Sequence, residues 1–369
     1  MRYFATRHRN FFISLLDDRR LSNEDLSCPE SGHQLAINDS CKMVGLLRDS
    51  FDPRDHYYVP SPDVQPPAKV NLRQDHEQLI SEIYDQLKTS SCTANATAAA
   101  FWYEEKAGRR EVTWSDAGPS RLFIYWLARG AYEDPYLNIY WPSDSGSCPR
   151  DAMMGIAKCG VCDEKDWPFD ANNINTRPSD EIFAKAKPHK INAYYRLDPQ
   201  RPDHDDKKLS TEDKDKIGAA VLDNLKHCLT EGYPVVFGFF YYLPAHDSYD
   251  ETQTPFVLKD VWSLKDKPFP RHTHTQDLPT ELRIKNKAGN PVSPGHTVLA
   301  IGYDDEKQAV LIQNSLGSTW GGNGTFWMPY SWITDCGATN DFWTIRVTTA
   351  PEDAPPPKWQ DVHQEILGK

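Results

Sequence analysis

Nowhere in the 369-residue sequence does an apolar run approach the roughly 18 residues that a helix needs to cross a bilayer, so a membrane-embedded protein is not expected. Clusters of basic residues are equally scarce. With 41 Lys and Arg against 53 Asp and Glu, the net charge is −12 and the pI near 5.5. Phosphate binding depends on concentrated positive charge, which argues against a nucleic-acid partner. A secretory signal is not expected either: MRYFATRHRNFFISLLDDRR has Arg2, Arg7 and Arg9 and no acid before Asp17, but no apolar segment followed by a small-residue cleavage site. The same Arg-rich start resembles a weak organelle transit segment. The expected compartment is intracellular and cytoplasmic, and without a signal the sequons at Asn38, Asn95 and Asn323 carry no expectation of glycans.

Cysteine is too sparse and irregular for a disulfide scaffold: Cys28, Cys41, Cys92, Cys148, Cys159, Cys162, Cys228 and Cys336 are scattered over a long chain, and reduced thiols are expected. Cys159 and Cys162 form a CxxC with Cys148 upstream, which raises zinc or redox chemistry, yet no second pair completes a tetrahedral set; packing cysteines are the plain alternative. What the chain does have is enough apolar residue for a sizeable core, 39% hydrophobic and 12% aromatic. The 28 prolines and a mean hydropathy of −0.66 add long irregular connections, so one folded unit with insertions is expected.

Residues 1–65 are charged and loop-like and lead into DSFDPRDHYYVPSPDVQPPAKVNLR, read as an extended surface segment with the packed core starting near Val70. From Cys92 the apolar positions Ala96, Ala99 and Tyr103 recur at helical spacing, with Ser90 or Ser91 as N-cap and Gly108 as stop. PSRLFIYWLARGAYE after Pro119 predicts a second helix and RDAMMGIAKCG from Arg150 a third. The dense charge of residues 196–216 reads as a solvated insertion. A helix with Ile217, Val221, Leu225 and Cys228 on one face follows, then the strand-like run YPVVFGFFYY. After a proline-rich excursion over 244–294, HTVLAIGYDDEKQAVLIQNS predicts a β-hairpin, and the residues after Val347 read as an extended appendage. The first half is mostly helical and the second mostly strand.

A cysteine in the first turn of a helix faces unsatisfied N–H groups and the positive end of the macrodipole, which favour thiolate over thiol. Cys92 stands there, although a small core residue is the plain reading of a lone cysteine. The hairpin offers a partner. His296 begins its first strand and Asn314 ends its second, and a loop of three or five residues around Asp305 sets them on one face. Each alone reads as a strand-end or turn residue; with Cys92 they supply a nucleophile, a base and an orienting group, as attack on an acyl carbon requires.

Those residues lie in recognisable surroundings. GHTVLAIGYDDEKQAVLIQNSLGSTWGGNGTFWMPYSW resembles the His and Asn region of papain-like cysteine peptidases. YDQLKTSSCTANATAAAF is similar to the segment around that family's nucleophile, in the microbial branch with SCTANA, and Gln86 holds the place of the glutamine six residues before the cysteine. VNLR, PSRLFIY, GVCDEKDWPFD and GYPVVFGF extend the resemblance over about residues 45–347. It implies an α+β fold of two lobes, one helical (79–190) and one an antiparallel β-barrel (191–350), with a substrate cleft between them. A 1–65 extension, a peptidase domain over 66–350 and a tail at 351–369 would follow. Carried over, Cys92 is the nucleophile, His296 its imidazolium partner, Asn314 the orienter of His296, and Gln86 an oxyanion donor beside the Cys92 N–H. Loss of one such donor costs on the order of 3 kcal/mol in the transition state.

Three departures stand out. Leu316 replaces the tryptophan that follows Asn-Ser in the family, which predicts a wetter, weaker His–Asn hydrogen bond, while Trp320 matches the second tryptophan. Lys88 and the following Thr-Ser-Ser replace a glycine-rich lead-in to the nucleophile. The spacing of 204 residues from Cys92 to His296 exceeds the roughly 130 of papain, with insertions at 196–216 and 244–290 accounting for the excess. Residues 1–65 lack the helical pattern of a long inhibitory pro-region and lie either over the surface or in the cleft. The expected activity is hydrolysis of peptide or protein substrates through a thioester at Cys92, with no metal or organic cofactor. A transferase or deamidase using the same residues, and a catalytically weak peptide-binding homologue, are the alternatives.

Overall fold

The computed structural model describes residues 45–49, 51–75, 83–108, 115–131, 144–199, 209–265, 268–285 and 289–347, together with residue 366. Apart from residue 366, the expected C-terminal appendage lies outside the described residues, as do Cys28, Cys41 and residues 200–208. After strand β1 (Lys69–Asn71) and the single turn α1 (Leu72–Asp75), the chain enters the 16-residue helix α2 (Cys92–Ala107). Cys92, Ala94, Ala98, Ala100 and Phe101 in this helix are fully buried, and Thr93, Asn95 and Thr97 are buried with them. A helix apolar on one stripe would expose the other, whereas α2 packs on nearly every side, and its small residues let neighbours approach closely.

Around it stand α3 (Arg121–Trp126), capped by the Ser120 hydroxyl accepting from the Phe123 N–H, and α4 (Pro149–Cys159), with proline in its first turn. The expected second helix is therefore shorter than its sequence suggested, because Leu127–Ala131 continues it as a π-helical turn. Gly160 ends α4 at φ +80°, where a Cβ would lie 1.9 Å from the Ala186 carbonyl oxygen, so only glycine fits. Helices α5 (Asp180–Ala186), α6 (Thr211–Thr230) and α7 (Tyr330–Ile333) complete the helical elements used below.

The remaining strands are β2 (Ala193–Arg196), β3 (Val235–Phe240), β4 (Tyr249–Asp250), β5 (Phe256–Leu258), β6 (Ile284–Lys285), β7 (Pro291–Val292), β8 (Gly295–Asp304), β9 (Ala309–Gln313), β10 (Thr325–Pro329) and β11 (Thr339–Arg346). Nine form one sheet in the order β2-β11-β3-β8-β9-β10-β5-β4, with β1 also on β8, and β6 and β7 pair separately. The pairs are antiparallel except β10 with β5. Among the described residues the sheet is an open path from β2 to β4, where a closed barrel was expected. Strand β8 is buried along its whole length because α2 packs on it from the helical side. The α+β two-lobe architecture is otherwise as read.

Two expectations about charged segments fail. The run 196–216 is not wholly solvated: Arg196 is 1% exposed in β2, and residues 211–216 form the first turns of α6. Ser210 accepts from the Asp213 N–H, and Glu212 and Asp213 oppose the positive helix end, a start signal that the charge density obscured. Nor does packing begin at Val70. Asp49, Asp55, Tyr57 and Tyr58 are buried, Tyr57 bridges Arg196, and the Asp55 carboxylate pairs with Arg150 at 2.9 Å. Asp49 accepts from the Trp343 Nε1–H at 2.7 Å, lies 3.4 Å from the Arg196 guanidinium, and its N–H donates to Asp341. Burial and the neighbouring Asp341 carboxylate push the Asp49 carboxyl well above the usual range. Asp49 and residues 51–58 thus form a belt of the fold.

Candidate active site

The hairpin that carries His296 and Asn314 has a four-residue loop, residues 305–308, between Asp304 and Ala309, not three or five. Four residues would send the two side chains to opposite faces. A β-bulge between Ala300 and Gly302 changes the register from Asp304↔Ala309 to Leu299↔Gln313 and restores the parity. His296 Nε2 and Asn314 Oδ1 consequently lie 2.8 Å apart. Their burial, 0% and 3% exposed, contradicts the wet pair expected from Leu316. Phe239 and Tyr241 rings flank His296 at 5.8 and 6.4 Å, and Leu316 is itself buried, so apolar cover is supplied from β3 and the residue after it in place of an indole.

Cys92 opens α2, whose tip is tied to β8 by the Thr93 and Thr297 hydroxyls at 2.9 Å, joining the neighbours of Cys92 and His296. Ser91 stands at the N-cap without capping through its side chain. Its hydroxyl is 2.7 Å from that of Thr89 and accepts from Asn95 Nδ2 at 3.0 Å. The N-terminal amides of α2 are therefore not consumed by that hydroxyl and can serve an anionic atom at Cys92.

Gln86 is fully buried beside this helix end. Its Nε2 donates to the Thr89 carbonyl at 2.9 Å, and its Oε1 accepts from the Ser315 hydroxyl at 2.5 Å. The backbone pairs as well: Gln86 N–H donates to Ser315 O, and Asp85 bridges Leu316. The lead-in that replaces glycine holds its turn with Leu87 at φ +55°, its N–H donating to Asp85 Oδ1, and with Ser90 N–H donating to the Asp144 carboxylate. Cys92, His296, Asn314 and Gln86 are thus brought to one place.

Residues 45–47 cross this place, which no sequence signal revealed. Gly45 and Leu46 N–H groups donate to the Gly295 carbonyl at 3.2 and 3.3 Å; Leu47 N–H donates to Ser147 O at 3.1 Å and Ser147 N–H to Gly45 O at 2.9 Å. Leu46 is 7% exposed and lies against Gly238 and Gly295, where added Cβ atoms would meet its side chain at 2.5 and 3.0 Å. A Cβ on Gly45 would come within 2.7 Å of the Cys92 sulfur. This stretch therefore lies over Cys92, and the stretch after it is anchored in the fold by the buried Asp49, Asp55, Tyr57 and Tyr58.

Under this cover the Cys92–His296 pair is not tuned for ionisation, contrary to the helix-end expectation. Burial pushes the Cys92 thiol up against the lowering effect of Thr297 and Thr93 hydrogen bonds. Burial also pulls His296 down to about 4, against the Asn314 hydrogen bond. His296 Nδ1 has no hydrogen-bond partner among the described residues. In the closed arrangement burial thus favours the neutral form of each group. The CxxC is elsewhere: Cys162 is buried, Cys159 and Cys148 are partly so, all three unbridged. No group of three or more His, Cys, Asp or Glu is placed to hold a metal among the described residues, and no described helix is long and apolar enough to cross a membrane.

No family model matches the sequence. A peptidase C1-like protein of Acanthamoeba polyphaga mimivirus is 32% identical over 274 residues, 74% of this chain and 72% of the relative. Among solved structures, xylellain, a cysteine protease from Xylella fastidiosa, is 30% identical and superposes with a TM-score of 0.57 over 84% of this chain and 97% of its own. The digestive procathepsin L2 proteinase of Tenebrio molitor, 16% identical, shares the fold with a TM-score of 0.54 over 93% of each chain. With a relative of that identity and span, and with a cysteine at the head of the central helix facing the sheet, the chain belongs to the papain-like cysteine protease family.

Proposed function

We propose that the protein hydrolyses peptide bonds by a Cys-His-Asn mechanism, with Cys92 as nucleophile and Gln86 as oxyanion donor. The observation that carries this reading is the His296–Asn314 bond of 2.8 Å on the strand tied to the head of α2. Once the cleft is open, water solvates His296, and transfer of the Cys92 proton to Nδ1 gives a thiolate and an imidazolium, with Asn314 Oδ1 accepting from Nε2–H. The thiolate adds to the carbonyl carbon, and the oxyanion is met by the backbone N–H of Cys92 and the Gln86 amide. Imidazolium protonates the leaving amine, leaving a thioester; neutral imidazole then takes a proton from the hydrolytic water, releasing the acid and restoring the thiol.

In this reading residues 45–47 keep the chain latent. They occupy the cleft by backbone hydrogen bonds and one apolar side chain, as a peptide would, while Gly45 presents no side chain to the sulfur. Displacement of this strap is a condition of turnover. The peptidase domain of 66–350 would then act with the belt of the 1–65 extension still in place.

The test is incubation of the full chain, and of Cys92→Ala and His296→Ala, with a set of unlabelled peptides followed by mass spectrometry. Cleaved products that disappear in both variants are expected. Cross-linked or deamidated peptides of undiminished length would instead identify an acyl transferase or deamidase. No altered peptide, together with Cys92 alkylating no faster than the other cysteines once the strap is displaced, would leave a peptide-binding homologue.

A further inference from the structure

Ser315 touches both halves of the candidate site through different atoms. Its N–H donates to Asn314 Oδ1 at 2.9 Å, the oxygen that also faces His296 Nε2. Its carbonyl accepts from the Gln86 N–H at 2.9 Å, and its hydroxyl donates to Gln86 Oε1 at 2.5 Å. The residue is 4% exposed, so these bonds form away from bulk water. We propose that Ser315 is a positioning residue that fixes the Gln86 amide with its nitrogen toward the oxyanion, linking the strand of Asn314 to the loop before Cys92. This rests on the reading of Cys92 as nucleophile and Gln86 as oxyanion donor.

The terminal torsion of a glutamine is soft and nearly two-fold, so backbone placement alone does not decide which way its amide faces. Here both ends are specified. Ser315 offers a hydroxyl hydrogen to Oε1, and the Thr89 carbonyl accepts only a hydrogen, which Nε2 supplies. A flipped amide would set Oε1 against the Thr89 carbonyl and turn an acceptor toward the developing anion, the wrong polarity for catalysis. Thr89 belongs to the loop before Cys92 and Ser315 lies just past β9, so the amide is set at both ends only when that loop is docked on the hairpin.

The atoms separate cleanly in a substitution. Ser315→Ala deletes the hydroxyl and keeps the N–H to Asn314 and the carbonyl to Gln86, while Ser315→Thr restores a hydroxyl. Two reactions of Cys92 then discriminate: hydrolysis passes through an oxyanion, whereas alkylation by iodoacetamide displaces iodide at a saturated carbon and forms none.

The experiment measures both reactions in the full chain and in Ser315→Ala, Ser315→Thr, Gln86→Ala and Ser315→Ala/Gln86→Ala, using the fluorogenic peptide amide that the unaltered chain cleaves. Residues 45–47 are the same in all five, so rate ratios do not depend on how often the strap leaves. Ser315→Ala should lower kcat by about tenfold with KM within about twofold, and leave the alkylation rate and its pH profile unchanged. Ser315→Thr should recover most of kcat, and Ser315→Ala should have no further effect once Gln86 is alanine. An unchanged kcat, a parallel fall in alkylation, or effects that add to Gln86→Ala overturn the proposal while leaving the peptidase reading intact. A folded Gly45→Val chain, in which the strap is displaced, that neither alkylates quickly at Cys92 nor cleaves any peptide overturns both.

Discussion

Gly45→Val separates a latent enzyme from one whose N-terminal stretch is merely structural. A Cβ at this position would stand 2.4 Å from the Ser90 carbonyl oxygen and 2.7 Å from the Cys92 sulfur. Neither neighbour can retreat: Ser90 N–H is held by both oxygens of Asp144, and Cys92 begins the buried central helix. The strap must yield instead. Forcing extra methyl groups into a packed site costs about 1–3 kcal/mol, which translates into a shift of the docked-to-undocked equilibrium by roughly 5- to 150-fold.

The assay is the second-order rate of Cys92 alkylation by iodoacetamide, read by peptide mass spectrometry, with the buried Cys162 and Cys228 as internal controls. The Cys92 rate should rise by that factor with the controls unchanged, because the belt anchored at Asp49 is untouched. The pH profile should move too. Lifting residues 45–47 off the Gly295 carbonyl admits water beside His296 while the Phe239 and Tyr241 rings stay, so its pKa rises from about 4 and thiolate–imidazolium reactivity extends to lower pH than in the unaltered chain. A folded Gly45→Val chain whose Cys92 labels no faster refutes the occlusion argument. Equal acceleration at Cys162 and Cys228 would show that the whole fold had loosened.

Other outcomes follow from the same geometry. Asp49→Ala removes the acceptor of Trp343 Nε1–H and a partner of Arg196, and should lower unfolding stability by about 3 kcal/mol in urea titrations; a loss near zero would show that the belt is dispensable. Asn314→Ala leaves buried His296 Nε2 without its acceptor and should reduce kcat by on the order of 10- to 100-fold, with native circular dichroism. In the closed chain His296 binds its proton only near pH 4, whereas the unfolded chain binds it near 6.5. Its contribution is therefore present above 6.5 and is lost as pH falls toward 4. Glu104, pushed up to about 8 by burial, acts oppositely, contributing below about 4.5 and losing it as pH rises to 8. Urea unfolding at pH 7 and 4.5 should accordingly show a smaller acid loss in His296→Asn than in the unaltered chain.

The elements that were legible in the sequence owe their form to local rules. The helix at Cys92 follows from alanine content and spacing, and β3 from a β-branched and aromatic run between Gly232 and Pro244. What escaped depended on contacts remote in sequence. Arg196 looked like surface charge because Asp49, Asp198 and Asp341, which pair with it, are not its neighbours along the chain except for Asp198. Gly45 and Leu46 look like any loop dipeptide until the cleft is assembled around them. Ser315 sat inside a recognised motif, but its hydroxyl partner is 229 residues away. The expected wetness of the His–Asn pair failed because cover was sought at the position of one missing tryptophan, while Phe239 supplies it from another strand.

The hairpin shows how such a gap between local and remote information can be closed by an element that leaves little trace in sequence. Apolar alternation fixes which residues are strand, and Asp-Asp-Glu-Lys marks a turn, but neither counts loop residues to the accuracy that side-chain parity demands. One residue more or fewer inverts the face of everything beyond it. The bulge between Ala300 and Gly302 absorbs that error, and it lies beside Gly302, where a Cβ would meet the Val70 carbonyl at 2.4 Å as β1 crosses β8. The glycine admits β1 at the same stretch of strand where the bulge resets the register. Straightening β8 without shortening the loop would carry His296 to the face away from Asn314. The site therefore depends on an irregular strand: the same four-residue turn on two regular strands would present a histidine and an asparagine that never meet.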